Sequence, residues 1–162
     1  ARVPDIPGLE SIPYYTNATL FNLTTLPPRL VVLGGGAVAA EMAQAFARFG
    51  SSVTMVLRSG QLLSGEDADV AKMLREALEV EGVAIQTDTD IASVEATAGE
   101  PWPEIQINAQ KRGADATSPL TCDALLVAVG RVPNVEDMGL EAAGVSFTPE
   151  GGVVVEDDLR TS

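Results

Sequence analysis

The chain has 162 residues, 46% of them apolar, with a formal net charge of −13. That is enough for one domain with a sizeable core, and so acidic a surface repels nucleic acid and anionic membranes, so neither is expected as a partner. A single cysteine, Cys122, and no histidine exclude an internal disulfide, a zinc site of the Cys/His type and a Ser-His-Asp or Cys-His catalytic group.

Residues 1–28 are rich in Pro, Asn and Thr and end at Pro27-Pro28; they read as a connecting arm. Leu30 to Leu33 is a short apolar strand. Ala37 to Phe49 has Val38, Met42, Phe46 (or Ala45) and Phe49 at helical spacing, with Ala39, Ala43 and Ala47 as a line of small residues that allows close packing on a sheet, and Gly50 stands where a helix would stop. Ser52 to Leu57 is β-branched and apolar, a second strand. After a loop over 59–65, Glu66, Asp67 and Asp69 suit the positive end of a helix dipole. Val70, Met73, Leu74, Ala77 and Leu78 give that helix an apolar face, and Gly82 ends it. Val83 to Gln86 supplies a third strand.

Ile91 to Thr97, Glu104 to Ala109 and a stretch near Leu120 read as short strands of an antiparallel meander. Trp102, between two prolines, is a turn residue that packs. Cys122 precedes an apolar run and reads as a small core residue. Ala124 to Val129 returns to the parallel sheet. A loop follows Pro133-Asn134, with a helical turn near Leu140 and a brief strand at Val153 to Val155. The fold class is therefore α/β: a Rossmann-like three-layer βαβαβ parallel sheet with an inserted antiparallel meander. No apolar stretch approaches the roughly 20 residues a membrane span requires. No signal peptide is visible, so a cytoplasmic location is expected. The opening Ala-Arg-Val-Pro, without an initiator Met, suggests a processed or excised segment.

The most informative stretch is Gly34-Gly35-Gly36-Ala37-Val38-Ala39, which joins the first strand to the first helix. Gly34 can take the positive φ that an abrupt strand-to-helix turn requires. Gly36 has no Cβ, so a diphosphate can approach its backbone. Ala39 takes the third small position, where helix and strand pack closely. The free N–H groups of the first helical turn add an anion site. The pattern G-x-G-x-x-A is weak alone, but strand, helix and second strand surround it as dinucleotide binding demands. In an NAD site of this fold a carboxylate ends the second strand, about 20 residues on, and binds ribose hydroxyls. Here that place holds Leu57, followed by Arg58 and Ser59. A guanidinium welcomes a 2′-phosphate that a carboxylate would repel, so NADP is favoured over NAD. The bland alternative makes Arg58 a solvated loop residue.

These residues resemble a known family. Gly34 to Glu41 followed by Val53-Thr-Met-Val is similar to the nicotinamide-cofactor domain of the FAD-dependent pyridine nucleotide-disulfide oxidoreductases. Leu126 to Asn134, with Gly130-Arg131-Val-Pro133-Asn134, is similar to the family's A-x-G-R-x-P-N stretch. Arg2 to Gly8 resembles its exit from the flavin domain, and Ala142 to Val145 through Leu159 to Ser162 its return segment. Glu41 to Gly50 and the Arg58-Ser59 ending are most similar to the mercuric reductase branch, which uses NADPH.

The resemblance implies roles residue by residue. Gly34, Gly36 and Ala39 match the diphosphate turn, and with Gly35, Ala37 and Val38 make the expected cofactor contacts. Glu41 matches a carboxylate that reaches toward the flavin–nicotinamide junction and pairs with a lysine of the flavin domain. Arg58, with Ser59, matches the 2′-phosphate contact, and Gly130 a close approach to the cofactor. Ala37 departs from the aromatic residue many members carry there. The family's C-x4-C redox pair, its FAD-binding motif and its C-terminal dimerisation domain have no counterpart here. The implied organisation is an arm from an FAD domain (1–28), an NAD(P)-binding domain (29–134) and a return segment (135–162). These would belong to a longer, homodimeric enzyme in which nicotinamide passes a hydride to FAD. The chain alone would bind no FAD and be inactive. Two other readings stay open: a non-catalytic NAD(P)-sensing module, and the domain of an NADH-dependent enzyme similar to dihydrolipoamide dehydrogenase.

Overall fold

The computed structural model describes residues 1–114 and 116–161. Its backbone forms two compact units, residues 1–130 and 131–162.

The first unit is built on a four-stranded parallel sheet. The strands β1 (Arg29–Leu33), β2 (Ser52–Val56), β3 (Ala84–Gln86) and β7 (Ala124–Val127) lie in the order β3-β2-β1-β7. Helix α1 (Ala37–Phe49) joins β1 to β2, and α2 (Ala68–Val80) joins β2 to β3. Between β3 and β7 the chain makes a separate antiparallel sheet of β4 (Thr89–Thr97), β5 (Glu104–Lys111) and β6 (Thr117–Cys122). This is the α/β architecture with inserted meander that the apolar periodicity implies.

Side chains alternate across the central sheet, as a two-residue period requires. Leu30, Val32, Val53, Met55 and Leu126 pack with Ala39, Ala43, Phe46 and Leu78 of the helices. Val31, Leu33, Val56, Leu125 and Val127 pack with Val94, Ile105, Ile107 and Cys122 of the meander. The parallel strands are thus covered on both faces, which explains their near-continuous apolar sequences. Burying each such Val or Leu stabilises the fold by about 1.5–3 kcal/mol.

Two helix faces differ from expectation. In α1 the buried residues are Ala39, Ala40, Ala43 and Phe46, whereas Val38 and Phe49 are exposed. Ala39 and Ala43 let the helix approach the sheet, as the small-residue line implies, and with Phe46 they define the packed face. In α2 only Ala71 and Leu78 are fully buried, and Val70 and Met73 face solvent. The caps follow expectation. Gly50, at φ 109°, closes α1 with its N–H on the Phe46 and Ala47 carbonyls. At the far end of both helices, Glu81 accepts from Arg48 and Gln44, and the Arg48 guanidinium holds the Glu81 carboxyl below its ordinary range.

Residues 1–28 pack against this unit. Leu9, Ile12 and Leu20 are buried. Tyr15 donates to the Leu125 carbonyl at 2.7 Å and accepts from Val127 at 2.8 Å, which covers the outer edge of β7. Trp102 packs on the helix-side core. Cys122 is fully buried, and burial pushes its thiol up to about 12.

The second unit contains a small hairpin, β8 (Phe147–Thr148) and β9 (Gly152–Val153). Its turn is closed by the Gly151 N–H on Thr148 Oγ1 at 2.9 Å. The strand expected over Val153 to Val155 is Gly152–Val153 instead, sharing only Val153 with it, and the first strand was not expected. Among the described residues, no helix is long and apolar enough to cross a membrane.

Candidate functional site: a glycine-floored cleft at the strand ends

The parallel strands β1, β2 and β7 all end at one side of the sheet, the side where ligands of open α/β folds bind. A cleft of about 710 Å³ lies there, within the range of small-molecule sites. Its floor is the turn after β1.

The three glycines do different work. The Gly34 N–H is spent on the Val56 carbonyl at 2.9 Å, which anchors the turn to β2. Gly34 has φ 125°, and a Cβ there would collide with the carbonyl oxygen of Ala128. Gly35 lies over Leu57, where a Cβ would come within 3.0 Å of Cδ1. Its carbonyl accepts from the Leu63 N–H at 2.7 Å, which ties down the loop after β2. Gly36 has nothing within 4 Å of its absent Cβ. It is the N-cap of α1, in extended conformation, and no side chain caps that helix. The N–H groups at the start of α1 have no partner inside the helix, and those of Gly35 and Gly36 make no hydrogen bond to the described residues. The cleft therefore has a floor of unpaired amide donors, the positive end of a helix dipole, and space where a Cβ would intrude.

Of the ten residues expected at the site, Gly34, Gly35, Gly36, Arg58, Ser59 and Gly130 line this cleft. Arg58 leaves the end of β2 exposed, without an ion pair or hydrogen bond to the described residues. The Ser59 hydroxyl donates to the Gln61 carbonyl at 2.8 Å and retains its capacity to accept. Gly130 has φ 145° and stands beyond the end of β7. The other four belong to α1. Ala37 and Val38 are exposed on its first turn, Ala39 is wholly buried against the sheet, and Glu41 is exposed one turn on, outside the cleft lining.

The cleft also includes residues not foreseen. Arg2 to Ile6 form part of one wall, and Thr89, Asp90 and Ile91 at the start of β4 form another. They arrive through long-range hydrogen bonds: the Arg2 N–H on the Gly130 carbonyl at 2.9 Å, and the Thr89 N–H on the Leu57 carbonyl at 3.0 Å. No local pattern signals such pairings. Asp90 is held by Arg112 at 3.3 Å.

Comparison with known proteins agrees with this geometry. The family profile described as pyridine nucleotide-disulphide oxidoreductase matches residues 1–162. The chain is 38% identical over 160 residues to a mercuric reductase of Shigella flexneri, covering 99% of this chain and 27% of that protein. It is 36% identical over 142 residues to a dihydrolipoyl dehydrogenase of Bacillus subtilis (strain 168), covering 87% of this chain and 29% of that one. Among solved structures it is similar to the HOCl-induced flavoprotein disulfide reductase RclA from Escherichia coli. The TM-score is 0.83 at 33% identity, over 100% of this chain and 35% of that chain. The chain thus spans about a quarter to a third of the length of these relatives. Profile, relatives and fold agree: the chain belongs to the pyridine nucleotide-disulphide oxidoreductase family.

Proposed function

We propose that this chain is the NAD(P)H-binding domain of an FAD-dependent disulfide oxidoreductase, and that it takes NADP in preference to NAD. One observation carries the reading: Gly36 leaves its Cβ position empty at the floor of a cleft where the amides of Gly35 and Gly36 are unpaired. A diphosphate fits that cradle because its oxygens accept from those donors and from the start of α1. The adenosine ribose then lies over the end of β2. Leu57 is buried there and offers no carboxylate to ribose hydroxyls, while Arg58 supplies a free guanidinium for a 2′-phosphate. When bound, the nicotinamide supplies a hydride to a flavin held by residues outside this chain. Gly34, Gly35 and Gly36 fix the diphosphate, Ala37 and Val38 form the exposed first turn beside it, and Ala39 lets α1 sit close to β1. Glu41 stands exposed to meet a cationic side chain of a flavin domain, and Gly130 brings backbone close to the nicotinamide half. Residues 1–28 and 135–162 are then the connections to that flavin domain in a homodimeric, cytoplasmic enzyme. Catalysis requires those further parts, so this domain alone binds cofactor without turnover.

Calorimetric titration of the protein and of an Arg58→Ala variant with NADP and NAD tests the reading. The expected result is tighter binding of NADP, with the preference abolished in the variant. Equal binding of the two cofactors by the unmodified protein would remove the NADP assignment. Binding of neither at millimolar concentration would remove the cofactor role.

A further inference from the structure

We infer that Arg2 is a second phosphate-binding cation of the cleft, one that grips the diphosphate shared by NAD and NADP and so adds affinity without selectivity. The inference rests on the dinucleotide reading above. It starts from a placement that sequence distance conceals. Arg2 is 128 positions from Gly130 in the chain, yet its N–H donates to the Gly130 carbonyl at 2.9 Å. Its side chain runs past that glycine: Cβ and Cδ of Arg2 both lie 3.9 Å from the position a Gly130 Cβ would take. A Cβ on Gly130 would meet that stem only in ordinary van der Waals contact; it is the φ of 145° that favours glycine there. Arg2 lines the same cleft as Gly34 to Gly36, and its guanidinium forms no ion pair with the described residues. It is exposed, so its charge is available to a ligand.

The sheet order decides which part of a cofactor it meets. β1 lies between β2 and β7, so Arg58, after the end of β2, and Arg2, bonded beyond the end of β7, lie on opposite sides of the glycine turn. The second strand end takes the adenosine ribose in this class of fold, which leaves the β7 side to the nicotinamide half. Arg58 is therefore the cation near the 2′-phosphate. Arg2 is the cation on the far side of the diphosphate, where the two cofactors are chemically identical. Two carboxylates, Asp5 and Asp90, also line the cleft; Asp90 is engaged by Arg112. A dianionic bridge would suffer from Asp5 unless a nearby cation offset it, and Arg2 stands in the same wall.

Titration of unmodified protein, Arg2→Ala, Arg2→Lys and Arg58→Ala with NADP and NAD tests this. Arg2→Ala is expected to weaken both cofactors by the same factor, roughly tenfold, the scale of one charge-assisted hydrogen bond at an open site. Arg2→Lys should recover most of the loss, and Arg58→Ala should weaken NADP alone. The backbone N–H to Gly130 survives every substitution, so the melting temperature should stay put; if Arg2→Ala melts early, Arg2→Gln keeps the stem and gives the same comparison. Unchanged affinity in the Arg2 variants, or a loss confined to NADP, would overturn the assignment while leaving the dinucleotide site intact. Binding of neither cofactor to the unmodified protein would overturn the site itself, and this inference with it.

Discussion

Gly34 lies so close to the Ala128 carbonyl that no Cβ fits between them, whereas Gly36, two residues on, faces open cleft. Two glycines of one motif thus face different surroundings, one packed backbone and the other open space. Gly34→Ala forces a side chain into backbone at φ 125° and should destabilise the protein by roughly 2–4 kcal/mol. Gly36→Ala, at an extended φ of −82°, should change stability by less than about 1 kcal/mol yet abolish measurable NADP binding. Paired thermal melts and titrations of the two variants check this contrast.

Arg29 and Asp123 predict a pH dependence. The Asp123 carboxylate accepts from the Arg29 backbone N–H at 2.8 Å, from Nε at 3.0 Å and from Nη2 at 2.6 Å. These bonds clip the start of β1 to the start of β7. They hold the Asp123 carboxyl below its ordinary range, chiefly through the side-chain bonds to Arg29. A carboxyl depressed in the folded state contributes stability above its unfolded value, near pH 4, and loses it as pH falls through the folded value. Asp123→Asn should therefore cost about 1–2 kcal/mol at pH 7 and flatten the loss of stability below pH 4. Urea melts across pH 2–7 measure both.

Cys122 has the opposite sign. Its thiol is pushed up to about 12 by burial. A thiol raised above its unfolded value of about 8.5 is neutral in the folded protein where the unfolded chain ionises. The stabilising difference holds below pH 8.5 and is lost as pH rises toward 12. The native protein should resist thiol reagents at pH 8 and react only at the rate of unfolding. Rapid labelling without denaturant would contradict this burial.

The sequence carried much of this fold because its signals were local. The bounds of α1 follow from a glycine turn before Ala37 and a left-handed Gly50 after Phe49, and the two-sided burial of β1 and β7 shows in their unbroken apolar runs. The glycine turn and Arg58 were equally visible, being a contiguous motif and the residue after a strand. The wall residues Arg2, Asp5 and Asp90 were not, since the first two depend on the bond to Gly130 and the arm packing across β7, and Asp90 on the bond from Thr89 to Leu57. The packed face of α1 was legible in part: the line of Ala39, Ala43 and Ala47 marks the close approach to the sheet, while Val38 and Phe49 advertise a hydrophobicity that the fold leaves in water.

Backbone amide NMR observes the Gly35 and Gly36 N–H groups directly. On titration with NADP, the Gly35 and Gly36 N–H resonances should undergo the largest shifts in the protein, followed by those of Ala37 and Val38, with Gly34 held in its bond to Val56. Saturable binding that leaves Gly35 and Gly36 unmoved, or no binding at all, would contradict the account.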